Sequence, residues 1–164
     1  MSFQKQVNAN QALGNVGQIS KAHHSFLNVI TAIAADDFVK VGSFVQSSST
    51  ATNENEVIGA SGKAISGSIL GVVVRDSLKV AGDSTPTLEV KKGENCAILT
   101  EGSIFIEVNV EAKKGKYVML QTADGALGFF DTNTQGGYTY TGFRVSKGND
   151  TATAGLIEIT TARA

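Results

Sequence analysis

The sequence predicts an all-β fold: an antiparallel β-sandwich or barrel-like domain preceded by an extended N-terminal arm. Three observations point there. The 164-residue chain holds 18 glycines and a single proline. Glycine among frequent Val, Thr, Ser and Ala describes short strands joined by tight turns, whereas each glycine inside a helix costs about 1 kcal/mol relative to alanine. The second half alternates apolar and polar residues with period two, and glycine-centred turns punctuate the alternation.

The elements follow in chain order. In residues 2–20 (SFQKQVNANQALGNVGQIS) the apolar residues Phe3, Val7, Leu13, Val16 and Ile19 are too widely spaced for a helical stripe or strict alternation, and Gly14 and Gly17 interrupt them. Such a segment buries little alone, so it reads as an arm that orders on a partner. Phe26, Leu27, Val29, Ile30 and Ile33 then form a dense apolar cluster, compatible with a strand or a short helix. FVKVGSFVQ reads as a strand broken at Gly42, and Ser47 to Glu56 as an exposed loop without apolar residues larger than Ala. VIGAS and ISGSILGVVVRDSL give further strands, with Gly59, Gly62, Gly67 and Gly71 at turns or bulges.

The alternation is clearest from Leu88 onward: Leu88-Val90, Cys96-Ile98, Ile104-Ile106-Val108-Val110 and Tyr117-Val118-Leu120, separated by turns at Lys91–Glu94, Thr100–Gly102 and Lys113–Lys116. Phe105, Glu107 and Asn109 fall on the opposite, wetter face. Asp124-Gly125, Gly136-Gly137 and Lys147–Asp150 mark later turns, and YTYTGFRVSK with AGLIEITTA makes a final strand pair. The expected division is an arm and apolar lead-in over 1–34, then a single β-rich domain over 35–164. At this length roughly 70% of the unfolded chain's surface is buried on folding, so a core forms without disulfides or a structural metal.

Charge excludes several functions. Fourteen basic and fifteen acidic residues leave a net charge of -1, with no basic stripe able to displace counterions from phosphates. Nucleic acid is therefore not an expected partner. No apolar run approaches the roughly 20 residues of a membrane helix, so no membrane is expected, and the opening MSFQKQVNANQALG has no signal-peptide pattern. One cysteine precludes an intramolecular disulfide.

Catalytic groups are scarce. His23 and His24 are adjacent, so on an extended chain they point apart and are poorly placed to share a metal. Cys96 sits in the apolar run NCAIL and reads as a core thiol. GSILGVVVRD is not a phosphate loop, and Asp36-Asp37 and Asn149-Asp150 lack the spacing of a calcium loop. Neither an enzyme nor a cofactor or metal site is expected. Tyr138 and Tyr140, two apart, share one strand face and are surface candidates, either as strand-edge packing or as a glycan contact.

Several stretches resemble the structural cement proteins of tailed bacteriophages. FQKQVNANQALGNVGQIS is similar to that family's opening "FQ-x-x-VN…G-x-x-G", and AADDFVKVGSFV to its "VG-x-F" strand. GSILGVVVRD resembles its "x-x-GVVxR" segment, and VKKGENCAILTEGSIFIEVN its long alternating segment. The resemblance implies a capsid decoration protein, made in the bacterial host cytoplasm and carried on the capsid exterior of the virion. There it would bridge major capsid proteins as a homo-oligomer, a trimer or a dimer. It also makes Phe3, Val7, Val16 and Ile19 the capsid-contact candidates. The competing reading is another virion component, such as a head-fibre base or tail protein, or a glycan-binding surface module.

Overall fold

A computed structural model describes residues 14–20, 27–37, 39–48, 55–75, 88–149 and 154–161. The expected contributions of Phe3, Val7, His23, His24 and Asp150, and most of the loop read between Ser47 and Glu56, lie outside those residues. Among the described residues the regular structure is all strand, in chain order β1 (Asn28–Ala34), β2 (Val39–Lys40), β3 (Phe44–Ser47), β4 (Glu56–Gly59), β5 (Ile69–Val73), β6 (Glu89–Val90), β7 (Asn95–Glu101), β8 (Ser103–Val108), β9 (Tyr117–Gln121), β10 (Leu127–Phe130), β11 (Tyr138–Lys147) and β12 (Gly155–Thr161). The all-β expectation is thus met, and its barrel-like form is explicit.

Five strands close a barrel in the order β1-β4-β3-β5-β7, and five more form a sheet in the order β10-β9-β11-β12-β8. A two-residue ladder of β2 and β6 stands beside them. The barrel is antiparallel except at β1–β4, a parallel contact of two residue pairs, Ile33 with Glu56 and Ala34 with Val57. The apolar cluster that the sequence left open between strand and helix is therefore a strand. Its last residues explain why: Ala32 and Ala34 point into the barrel and are buried, a period of two that a helix cannot give. Residues 28–34, counted with the lead-in in the sequence reading, are barrel wall.

Two cores result. Inside the barrel, Ala32, Ala34, Val45, Val57, Val73 and Ile98 pack together. Between barrel and sheet lies the larger cluster, where Phe44, Val72 and Leu99 meet Ile104, Ile106, Val118, Phe143 and Ile159. Phe44 and Phe143 meet edge-on at 5.7 Å between ring centroids, a favourable aromatic geometry that links the two units. Gln46 is buried in β3, yet it is fully used. Its Oε1 accepts from the Ser66 and Gly67 amides at 2.8 and 3.0 Å, and its Nε2 donates to the Ala64 carbonyl at 3.0 Å. One amide side chain thus holds the loop before β5.

The final strand pair is as expected, with β11 and β12 antiparallel from Phe143–Thr161 to Lys147–Glu158. Two facing assignments are corrected. Phe105, expected on the wet side of β8, is only 7% exposed, because another part of the chain covers that side. Val110, expected with the buried set, is 38% exposed, because β8 ends at Val108 and the chain bends away from the sheet.

Candidate functional site: a segment anchored on a sheet edge

An edge strand presents a row of unpaired N–H and C=O groups. The edge at β8 is occupied by residues 17–20 of the same chain. The Gly17 amide donates to the Phe105 carbonyl at 2.8 Å, the Phe105 amide to the Gln18 carbonyl at 3.0 Å, and the Ser20 amide to the Ser103 carbonyl at 2.8 Å. Ile19 pairs antiparallel with Ile104 and packs against the larger core. A further bond, from the Arg75 amide to the Gly17 carbonyl at 2.8 Å, ties the same point to the end of β5. The segment is thereby held to sheet and barrel at once.

The sequence builds this local shape. A turn at Asn15–Gln18 closes with the Gln18 amide donating to the Asn15 carbonyl at 3.0 Å, and the Asn15 amide donates back to Gln18 Oε1 at 3.0 Å. Gly17 has φ +73°, a region that side-chain-bearing residues enter at a cost, and a Cβ there would collide with Val41 Cγ1. Gly14 lies so close over the Phe105 ring that a Cβ would come within 2.6 Å of Cδ2. These two glycines, read from sequence as interruptions, allow the chain to lie flat on β8.

Of the four capsid-contact candidates, two fall within the described residues, Val16 and Ile19. Both are half-buried on the chain's own fold. Val16 covers Gly42 and, with Phe44, Val108, Val110 and Leu127, lines a cleft of about 670 Å³ between barrel and sheet. Phe3 and Val7 precede the anchored stretch.

The tyrosine candidates sit on the sheet face turned away from the core. Tyr140 lies opposite Met119, and Tyr138 opposite Gln121. The Tyr138 ring meets Phe130 edge-on at 4.7 Å, the Tyr140 ring meets Tyr117 at 5.5 Å, and the Arg144 guanidinium lies 3.8 Å over the Tyr117 ring. Burial raises the Tyr140 hydroxyl above its ordinary pKa of 10.0. Each ring is half-buried by its neighbours. Sequence reasoning found the pair, but Phe130, Tyr117 and Arg144 join it only through strand pairing across β9 to β11. Among the described residues no three His, Cys, Asp or Glu side chains cluster as metal ligands, and Cys96 is buried, with its Sγ 3.6 Å from the Ala32 carbonyl.

The described residues thus form a β-rich scaffold with a segment of the same chain anchored on one sheet edge and aromatic rings clustered on a sheet face. The chain belongs to the family described as "Structural cement protein (E217 gp24/Pam3 gp6)", whose model matches residues 3–162. That is a family of structural phage proteins. Among solved structures, a chain of the capsid of Myoviridae Phage XM1 is similar over 98% of this chain and 97% of its own, with TM-score 0.60 and 18% identity; it shares the fold. The head fiber gp8.5 N base of bacteriophage phi29 is matched over 85% of this chain and 97% of its own, with TM-score 0.45 and 11% identity. No curated protein matches the chain.

Proposed function

We propose that this structural cement protein binds the outer surface of a phage head, bridges neighbouring major capsid proteins and so stabilises the shell. In this reading the chain acts as a homo-oligomer, built from one β-rich domain with an N-terminal arm. The observation that carries it is the family match over residues 3–162. The anchored segment supports it physically. Four backbone hydrogen bonds hold residues 17–20 to β8 and Arg75, so an arm contact made before Gly14 transmits its load to the sheet. Val16 and Ile19 then serve to fix the anchor, and Phe3 and Val7 make the direct contact. An oligomer touching several capsid subunits gains avidity, because each later contact is intramolecular.

Deletion of residues 2–13 tests this reading without touching the anchor. The shortened protein keeps its β-type circular dichroism spectrum and loses co-sedimentation with expanded heads that lack it. Undiminished co-sedimentation removes the arm from the mechanism. Failure of the intact protein to bind heads removes the cement role itself.

A further inference from the structure

Glu158 is oddly placed for a charged residue. Its neighbours Ile157 and Ile159 belong to the core, so by alternation Glu158 points to the outer face of the sheet. Yet it is only 7% exposed, and its Oε1 is buried without a hydrogen-bond partner. Long charged side chains ordinarily keep their heads in water, and burying a carboxylate unpaired is costly. The same face holds a second orphan. Arg144, between the core residues Phe143 and Val145, turns outward from β11. Its guanidinium lies over the Tyr117 ring, but its Nε is buried without a hydrogen-bond partner. Strand register brings the two together. Arg144 opposes Thr160, and Glu158 is the next outward residue of β12. Long side chains at such diagonal positions reach into one space. That space holds one acceptor and one donor, both unanswered.

The chain itself leads toward that space. Gly17 is bonded at the edge of β8, and Gly14 already sits over the Phe105 ring, on the outer face. Going back along the chain, the backbone thus turns inward from the edge. Phe105 lies directly opposite Glu158, so the next strand inward is the one that carries the orphan carboxylate. Neighbouring strands are about 4.8 Å apart, and an extended chain advances about 3.3 Å per residue. About two or three residues before Gly14 therefore span from β8 to the gap between β12 and β11. Of Leu13, Ala12 and Gln11, only Gln11 has a hydrogen-bonding side chain. Its carboxamide offers both missing halves, N–H donors for a carboxylate and a carbonyl for a guanidinium. We propose that the outer face of β12 and β11 is the docking surface for the residues just before Gly14, with the Gln11 carboxamide donating to Glu158 Oε1 and accepting from Arg144 Nε. The arm is then held to its own sheet as far as Gln11, and the stretch with Phe3 and Val7 is what extends beyond it.

The test uses the free protein, so its outcome is independent of head binding. Proton–nitrogen NMR reads the Arg144 Nε–H directly. In the wild type this proton should exchange slowly with solvent, and Gln11→Ala should speed its exchange about tenfold. Gln4→Ala, nearer the start of the arm, should leave it unchanged. The Ile157 and Ile159 amides report in each variant that β12 is still folded. A rapidly exchanging Arg144 Nε–H in the wild type, or one whose protection survives deletion of residues 2–13, overturns the docking. Protection lost in that deletion but kept in Gln11→Ala overturns the assignment to Gln11. Protection that fades as the wild type is diluted means that the occupant comes from a second copy, and it overturns the path along the chain's own sheet.

Discussion

Gly17→Ala is the most informative single change, because Gly17 is where segment, sheet and barrel meet. At φ +73° an alanine costs about 1–2 kcal/mol from backbone strain. Its Cβ would also sit 3.1 Å from the Arg75 nitrogen and 3.2 Å from the Gly42 nitrogen, and collide with Val41 Cγ1. Val41 can yield partly, so the combined cost is about 2 kcal/mol. What it opposes is local. The three hydrogen bonds to β8 and the one from Arg75 contribute about 1 kcal/mol each, and Ile19 adds a little by burial. Detachment of the segment is thus the first opening to become easier. Native-state hydrogen exchange should show the Ser20, Phe105 and Arg75 amides exchanging about thirty-fold faster, while Ile157 and Ile159 in β12 are unchanged. Unaltered protection at Phe105 would refute the anchoring argument. Uniform loss across β12 would mean that the segment is integral to global stability rather than a separable attachment.

Replacing Gln46 by Leu leaves the Ser66 and Gly67 amides without their acceptor; because that loop can partly rehydrate, we expect a loss of about 2 kcal/mol in urea unfolding with the larger changes in amide shifts confined to 64–67. Phe143→Ala removes a fully buried ring from the contact with Phe44 and should cost about 3–5 kcal/mol, read as a lower urea midpoint at unchanged slope; a loss under 1 kcal/mol would show that barrel and sheet do not depend on that contact. Tyr140 gives a pH signature. Its folded pKa is raised by burial above 10.0, so the unfolded chain gives up this proton first. Stability therefore holds up to about pH 10 and falls as pH rises through the folded value. Tyr140→Phe should flatten part of that decline, and an identical alkaline profile in the variant would assign it to other groups.

Much of this was legible in the sequence, and the failures have identifiable causes. Turns declared themselves through glycine: Gly93 and Gly115 fall in turns where they were expected, and both take positive φ. Strands with clean alternation, such as β11 over YTYTGFRVSK, were read almost to their ends. Phe105 was misplaced because period two reports only which side a residue faces, not what else covers that side; its cover comes from Gly14, ninety-one positions earlier. Gly14 and Gly17 looked like breaks in a pattern, since the close approach that requires them exists only after folding. The same limit left the cluster from Phe26 to Ile33 open between a strand and a short helix, because what makes it a strand is pairing with β7 and β4, more than twenty positions away. Cross-strand company around Tyr138 and Tyr140 was out of reach for the same reason.

The passage from β7 to β8 through Gly102 has a mechanical meaning. Tension in the barrel wall enters the sheet along the length of β8, whose ladder with β12 runs for six consecutive residue pairs, Val108–Gly155 to Ser103–Thr160. Load in that direction is borne by every rung together, as in shear, instead of tearing them one after another, as in unzipping. In the proposed bridging role, load that reaches the barrel wall is thereby turned toward the direction in which a ladder yields last. Single-molecule pulling between a barrel residue and β12 should accordingly rupture at higher force than pulling that peels β10 from β9.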